Sequence, residues 1–171
     1  MKRIILPALL VSLSLLSAVD SRAEELPRIV VTMGEFDIGD NKQGVPEMGL
    51  QGQLAAIPLK VGRLSLALRP MVGFAANEDD GHWFYAGAKS DMPVGRSWFL
   101  DCGFAVAYYD RGEGFHLGSE LQFRSSIELS RTLWERYRFG IELYHLSNAG
   151  IYDKNPGSES LVLTFSAPFS R

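Results

Sequence analysis

Hydrophobic residues alternate with small or polar residues along most of the chain, in segments separated by short stretches rich in turn residues. A period of two is typical of β-strands whose two faces meet different surroundings. Glycine is frequent in and between the segments. The pattern predicts eight strands, which are at 28–37, 47–57, 63–75, 82–92, 96–110, 116–129, 135–148 and 158–169.

The connections between these strands differ in a regular way. Those that follow odd-numbered strands tend to be longer and polar, whereas those that follow even-numbered strands tend to be tight. Outer-membrane barrels show this asymmetry, with long outside loops and short periplasmic turns. Eight strands also form the smallest barrel whose interior side chains can fill. The predicted fold is therefore all-β, an eight-stranded antiparallel transmembrane barrel of the outer-membrane type.

Alternation alone does not say which face points outward, since a soluble lipocalin-like barrel has the same period with its apolar face inside. One set of faces carries large apolar residues, and these are Leu64, Leu66, Leu68, Val72, Trp98, Leu100, Phe104, Val106, Tyr108, Leu117, Leu121, Phe123, Ile127 and Leu129. The opposite faces combine small residues with charged or amide groups, which are Asp101, Glu120, Gln122, Arg124, Glu128, Arg138 and Glu142. Paired charges suit a narrow, filled interior.

Lysine usage also favours a membrane barrel over the soluble one. Lysine contributes only five of the 17 basic residues, and none lies between Arg96 and Asn148. A water-exposed sheet face would normally carry lysine. Several aromatic residues fall near predicted strand ends, where the girdles of membrane barrels lie.

The N-terminus has the features of an export signal. Lys2 and Arg3 precede an apolar run over 4–16, and Ser21–Arg22–Ala23 fits a cleavage site. We expect a signal peptide at 1–23 and a barrel domain at 24–171. The single cysteine, Cys102, cannot form an internal disulfide. A net charge of −3 argues against a nucleic-acid partner, and neither a metal nor a cofactor is expected.

Three polar residues share the apolar stripes of the last two predicted strands. His145 and Ser147 share a face with Ile141 and Leu143, and Glu159 shares one with Leu161. Antiparallel pairing would bring Glu159 within reach of the imidazole. These groups suit a nucleophilic serine, a histidine base and a carboxylate that orients the base. Oxyanion donors are expected from the loop that follows, and the candidates are Asn148, Gly150 and Asn155.

The motifs His145–Leu–Ser147–Asn148–Ala–Gly150 and Asn155–Pro–Gly157–Ser–Glu159 resemble the outer-membrane lipid A 3-O-deacylase family. Residues 123–129 resemble the preceding hairpin of that family. The resemblance is strong over 116–169 and architectural before that. It implies a metal-free serine hydrolase that removes the ester-linked 3-hydroxyacyl chain at position 3 of lipid A. The implied triad is Ser147, His145 and Glu159, on the lipid-facing wall.

The resemblance also implies a substrate site and a location. The acyl chain would lie along an apolar wall that includes Ile141, Leu143 and Leu161. Lys154, Lys42 and Arg111 lie in predicted outside loops and could meet lipid A phosphates, or they could be solvated loop charges. The protein would lie in a bacterial outer membrane with its active site facing the outer leaflet. The oligomeric state stays open, a homodimer included. The alternatives are a structural or adhesion barrel and a lipid A palmitoyltransferase, although charged interior stripes leave no room for the buried acyl pocket of the latter.

Overall fold

The computed structural model describes residues 26–39, 44–62, 64–134 and 136–169. The expected signal peptide at 1–23 and Lys42 lie outside these ranges. None of the described residues forms a helix long and apolar enough to cross a membrane. The strands within these ranges are β1 (Arg28–Phe36), β2 (Val45–Gln53), β3 (Ile57–Val61), β4 (Leu64–Asn77), β5 (His82–Pro93), β6 (Trp98–Asp110), β7 (Leu121–Leu133), β8 (Tyr137–Ser147) and β9 (Ser158–Pro168).

The strands form one closed antiparallel sheet. Each strand from β4 to β9 pairs with the next, and β1 pairs with both β9 and β2. Both β2 and β3 pair with β4, so they are two segments of one barrel strand, interrupted at 54–56. The ring therefore has eight strands. The predicted fold class is confirmed, and the longer connections lie together at one end, called the loop end below.

The sixth predicted strand was misplaced. It was expected at 116–129, but β7 runs from Leu121 to Leu133, and residues 111–120 form a loop. Gly118 has a φ of 92°, which a strand residue does not adopt. Leu117, expected on the lipid-facing stripe, is buried in the barrel mouth. Glu120, expected inside, lies exposed in the loop.

Elsewhere in the barrel, the residues that point outward and inward are the ones that the alternation predicted. On β6, Phe104 and Val106 are about half exposed, whereas the intervening Ala105 is 1% exposed. Large apolar residues on β7, β8 and β9 alternate in the same way, with Ile127, Ile141 and Leu163 outward. The outer surface is thus a continuous apolar band, which is the surface that a membrane barrel presents to lipid.

The middle of the barrel is filled by ion pairs. Lys89 bridges Glu128 at 2.5 Å and Glu142 at 3.0 Å. Of the charged residues expected on the inner faces, all except Glu120 are buried, and these are Asp101, Arg124, Glu128, Arg138 and Glu142. Further interior pairs are Arg124–Glu142 at 2.9 Å, Arg138–Asp91 at 2.6 Å, Arg69–Asp91 at 2.8 Å and Arg138–Asp101 at 4.0 Å. Lys89, Asp91 and Arg69 were not predicted.

Toward the loop end, the interior becomes aromatic. The Phe36 ring centroid lies 5.0 Å from that of Trp83 and 6.0 Å from that of Tyr109. Leu117 belongs to the same buried cluster. The Tyr109 hydroxyl donates a hydrogen bond of 2.8 Å to the Phe115 carbonyl. This cluster ties the 111–120 loop to the barrel and supports the strand ends where the candidate site lies.

Candidate active site

His145 and Glu159 are paired on the outer face of the barrel. They are direct neighbours in the β8–β9 register. His145 Nδ1 lies 3.0 Å from Glu159 Oε1 in a hydrogen bond. Their side chains are 40% and 45% exposed, so the pair lies on the surface and not in the lumen. The predicted cross-strand contact is therefore present.

Ser147 lies on the same outer stripe, two residues after His145. Residues at this spacing have Cα atoms about 6.5–7 Å apart. Across the β7–β8 pairing, Ser147 is opposite Phe123 and His145 is opposite Ser125. Within the part of the chain that the structure describes, the Ser147 hydroxyl has no hydrogen-bond partner. The structure thus joins two of the three predicted residues and places the third beside them with its hydroxyl unengaged.

Asn148 connects the loop that follows Ser147 to its surroundings through several hydrogen bonds. Its side chain is fully buried, and its amide donates to the Lys154 carbonyl at 2.7 Å and the Leu117 carbonyl at 3.2 Å. Its backbone N–H donates to Asn155 Oδ1 at 2.9 Å. Its Oδ1 accepts from the Gly150 N–H at 3.0 Å. The donors of Asn148 and Gly150 are therefore engaged within the loop.

Asn155 is the predicted oxyanion residue that keeps a donor available. Its Oδ1 is held by the Asn148 N–H, directly after Ser147 in the chain. Among the described residues its Nδ2 has no partner, and the residue is exposed. Fixing the oxygen of a planar amide also fixes where its N–H groups point. Asn155 is thus an oriented donor at the end of the strand that carries Ser147.

The β6–β7 loop supports the site in a way that the sequence did not indicate. A Cβ added at Gly118 would lie only 1.9 Å from the Lys154 carbonyl oxygen, so this glycine lets the two loops meet. Asn148 crosslinks the same loops through Leu117 and Lys154. The only signal in the sequence was a glycine next to an apolar residue in a polar stretch.

Glu159 also receives support from the β1–β2 loop. The Ile38 N–H donates to the Glu159 carbonyl at 2.9 Å. A Cβ added at Gly39 would lie 2.5 Å from Glu159 Oε2. The absence of a side chain at Gly39 therefore leaves room for the carboxylate. The Ile38 hydrogen bond holds the Glu159 backbone on the side away from His145.

The residues expected to contact an acyl chain form one surface. Leu143 pairs directly with Leu161, and Ile141 pairs with Leu163, one step further from the loop end. All four are outward and exposed. Lys154 is exposed in the β8–β9 loop. Across the described ranges, no three His, Cys, Asp or Glu side chains cluster in a way that could hold a metal ion.

Comparison with known proteins supports the resemblance. The family model described as lipid A 3-O-deacylase (PagL) matches residues 89–168, which include His145, Ser147 and Glu159. The resemblance to the lipid A 3-O-deacylase family is confirmed. A curated relative, lipid A deacylase PagL of Bordetella bronchiseptica (strain ATCC BAA-588 / NCTC 13252 / RB50), is 29% identical over 120 residues. That match covers 63% of this chain and 65% of the relative, just under two thirds of its length.

Solved structures share the fold. The crystal structure of the outer membrane enzyme PagL superposes with a TM-score of 0.64 at 21% identity, covering 83% of this chain and 99% of that chain. Neisserial surface protein A superposes with a TM-score of 0.50 at 12% identity, covering 84% of this chain and 97% of that chain. The barrel is thus common to an enzyme of this family and to a protein described as a surface protein, so the fold alone does not specify the chemistry.

Proposed function

We propose that the protein is a lipid A 3-O-deacylase, a serine esterase that hydrolyses the 3-hydroxyacyl ester at position 3 of lipid A. The observation that carries this proposal is the His145–Glu159 hydrogen bond of 3.0 Å, formed beside Ser147 on the outer wall of the barrel. Polar groups on a lipid-facing surface are costly and are kept where they have a function. The match of the family model over these residues supports the same conclusion.

The roles follow from the atoms that each residue presents. Glu159 accepts a hydrogen bond from His145 Nδ1, which leaves Nε2 as the basic nitrogen. Ser147 Oγ attacks the ester carbonyl carbon while its proton passes to Nε2. The bond from that carbon to the sugar oxygen then breaks, and the oxygen takes the proton. Water, deprotonated by His145, finally releases the fatty acid from Ser147.

The developing oxyanion needs a donor close to Ser147. The Asn155 Nδ2 is the donor that we assign to it, since the N–H groups of Asn148 and Gly150 stabilise the loop. In the proposed reaction Ser147 turns about χ1 toward Nε2, and its hydroxyl has no competing partner among the described residues. Asn148 then acts as a positioning residue that places Asn155.

The location is part of the proposal. The exposed apolar band and the outer-membrane barrel fold support insertion in an outer membrane after removal of residues 1–23. The long loops lie at the end that carries Ser147, which supports an active site at the external interface. The purified protein should migrate faster on gels when it is not boiled, as folded barrels do. A soluble, helix-rich protein from the periplasm would contradict this location.

The decisive experiment is hydrolysis by the purified, refolded protein in detergent micelles that contain lipid A. Mass spectrometry should detect lipid A lacking one 3-hydroxyacyl chain, together with the free 3-hydroxy fatty acid. The Ser147→Ala protein, refolded in the same way, should give neither product. No product from the unmodified protein would favour a structural barrel. Loss of an amide-linked chain instead of an ester-linked one would contradict the assigned reaction.

A further inference from the structure

An open groove of about 510 Å³ lies beside the candidate active site, on the β6–β7 side. Its walls include Tyr108 and Leu121 on the strands, Ser119 and Glu120 in the β6–β7 loop, and Tyr152 in the β8–β9 loop. This volume is within the range of small-molecule sites. None of these residues belongs to the triad or to the apolar surface formed by Ile141, Leu143 and Leu161.

The register fixes the position of the groove relative to Ser147. Ser147 pairs with Phe123, and Leu121 is the next outward residue of β7 toward the loop end. Leu121 in turn pairs with Tyr108. Strand spacing and rise put the near edge of the groove roughly 8–10 Å from Ser147. The groove therefore lies closer than Ser147 to the loop end and to the membrane–water interface. This is the depth at which the headgroup of a lipid would be.

The two loops that form the groove are fixed in place. The Ser119 hydroxyl donates to the Leu121 carbonyl at 2.8 Å, and Gln122 Nε2 donates to the Ser119 carbonyl at 2.7 Å. Asn148 joins the loop of Ser119 to the loop of Tyr152 through the carbonyls of Leu117 and Lys154. The groove is thus formed before any ligand arrives, which reduces the entropy lost on binding.

The side chains in the groove favour a neutral, hydroxylated ring. Tyr108 and Tyr152 expose nearly half of their surface and provide flat apolar faces with polar tips. The Glu120 carboxylate is exposed, and among the described residues it has no partner. A bare acyl chain against this carboxylate would leave a desolvated charge, and a phosphate would be repelled by it. A sugar ring can stack on the tyrosines and donate its hydroxyls to Glu120.

We propose that this groove binds the hexosamine ring that carries the scissile ester, with Tyr108 and Tyr152 against the ring and Glu120 accepting hydrogen bonds from its hydroxyls. This inference rests on the proposed function and extends it by naming the residues that select the sugar. The fatty acyl chain then leaves Ser147 in the opposite direction, toward the membrane interior. Selection for the sugar therefore comes from the two loops and not from the apolar wall.

The test compares two esters of the same 3-hydroxy fatty acid, lipid A and the 4-nitrophenyl ester, which has no sugar. Tyr152→Ala and Glu120→Gln should each lower kcat/KM for lipid A by about tenfold or more, mainly through KM, because hydrogen-bonded sites discriminate strongly. Their kcat/KM for the 4-nitrophenyl ester should stay near that of the unmodified protein. The difference between the substrates is the readout that a purely structural defect would not produce.

Two matched variants act as controls. Glu113→Gln changes an exposed carboxylate of the same loop that does not line the groove, and Tyr137→Ala changes a tyrosine at the opposite end of β8. Both should hydrolyse the two esters normally. Equal losses on both esters for Tyr152→Ala and Glu120→Gln, or no loss on lipid A, would overturn the groove assignment. Failure of the unmodified protein on both esters would instead refute the proposed function.

Discussion

Gly157 lies directly against the imidazole of His145. A Cβ added at Gly157 would be 2.6 Å from His145 Cε1 and 3.3 Å from Nε2. The backbone at this glycine has a φ of 68°, in the left-handed region that side chains disfavour. The residue before β9 therefore has two reasons to be glycine, and one of them concerns the ring that we assign as the general base.

Gly157→Ala should lower ester hydrolysis by about 100-fold while the barrel still folds, because a displacement near 1 Å of a catalytic group costs roughly this much. Initial rates on lipid A in micelles measure the effect. Gly62→Ala is the matched control, since Gly62 has a similar φ of 63° with nothing within 4 Å of the added Cβ. It carries the same backbone strain and should keep full activity. Equal activity of the two variants would show that His145 tolerates the methyl group.

The three proposed catalytic residues should act as a unit. Ser147→Ala and His145→Ala should each abolish almost all hydrolysis, and the double variant should be little worse, because either loss already removes the nucleophilic pathway. Glu159→Ala should be milder, since it removes the orientation of the base and not the base itself. Single-turnover rates of all four proteins test this. Losses that multiply in the double variant would mean that the two residues contribute independently.

The interior ion pairs should determine stability. Lys89→Ala leaves Glu128 and Glu142 without their bridging cation and should cost about 3–5 kcal/mol. Lys60→Ala, at an exposed position on β3, should change stability by well under ~1 kcal/mol. Urea unfolding of the refolded proteins, followed by tryptophan fluorescence, gives both values. Similar unfolding midpoints for the two variants would mean that the buried network contributes little.

Spin labels can test whether the proposed site faces lipid. Labels at Leu143 and Leu161 should be accessible to oxygen dissolved in the bilayer, because both positions are outward and exposed. Labels at Glu142 and Val162, the inward neighbours, should be protected. Electron paramagnetic resonance in reconstituted bilayers measures this contrast. The reverse pattern would place His145 and Glu159 in the lumen, because alternate residues of one strand all point to the same face.

The sequence was sufficient to predict which residues of a strand face outward and which face inward. Alternation determines which residues of β6, β8 and β9 face outward, so the barrel and the outward His145, Ser147 and Glu159 could be predicted. It failed at Leu117, an apolar residue of matching parity that lies in the loop before β7 begins and is buried in the barrel mouth. Parity also could not find the partners across the lumen, and so Lys89 was missed.

The candidate site was predictable only where it lies on paired strands. His145 and Glu159 come together because the hairpin sets their register. The roles expected of Asn148 and Gly150 depended instead on the course of two loops that are distant in sequence. Asn148 meets Leu117 across 31 positions of the chain, a contact that no local pattern encodes. Asn155 stays a prediction as an oxyanion donor, and the hydrogen bond that orients its side chain is visible only in the structure.

The outward exposure of His145 and Glu159 has a kinetic consequence. If Ser147 attacks a lipid of the surrounding leaflet, enzyme and substrate meet by diffusion within a plane. The rate should then follow the mole fraction of lipid A in the bilayer and not its amount per volume of solution. Diluting lipid A with inert phospholipid at constant bulk concentration should slow the reaction, whereas adding buffer to the same vesicles should not.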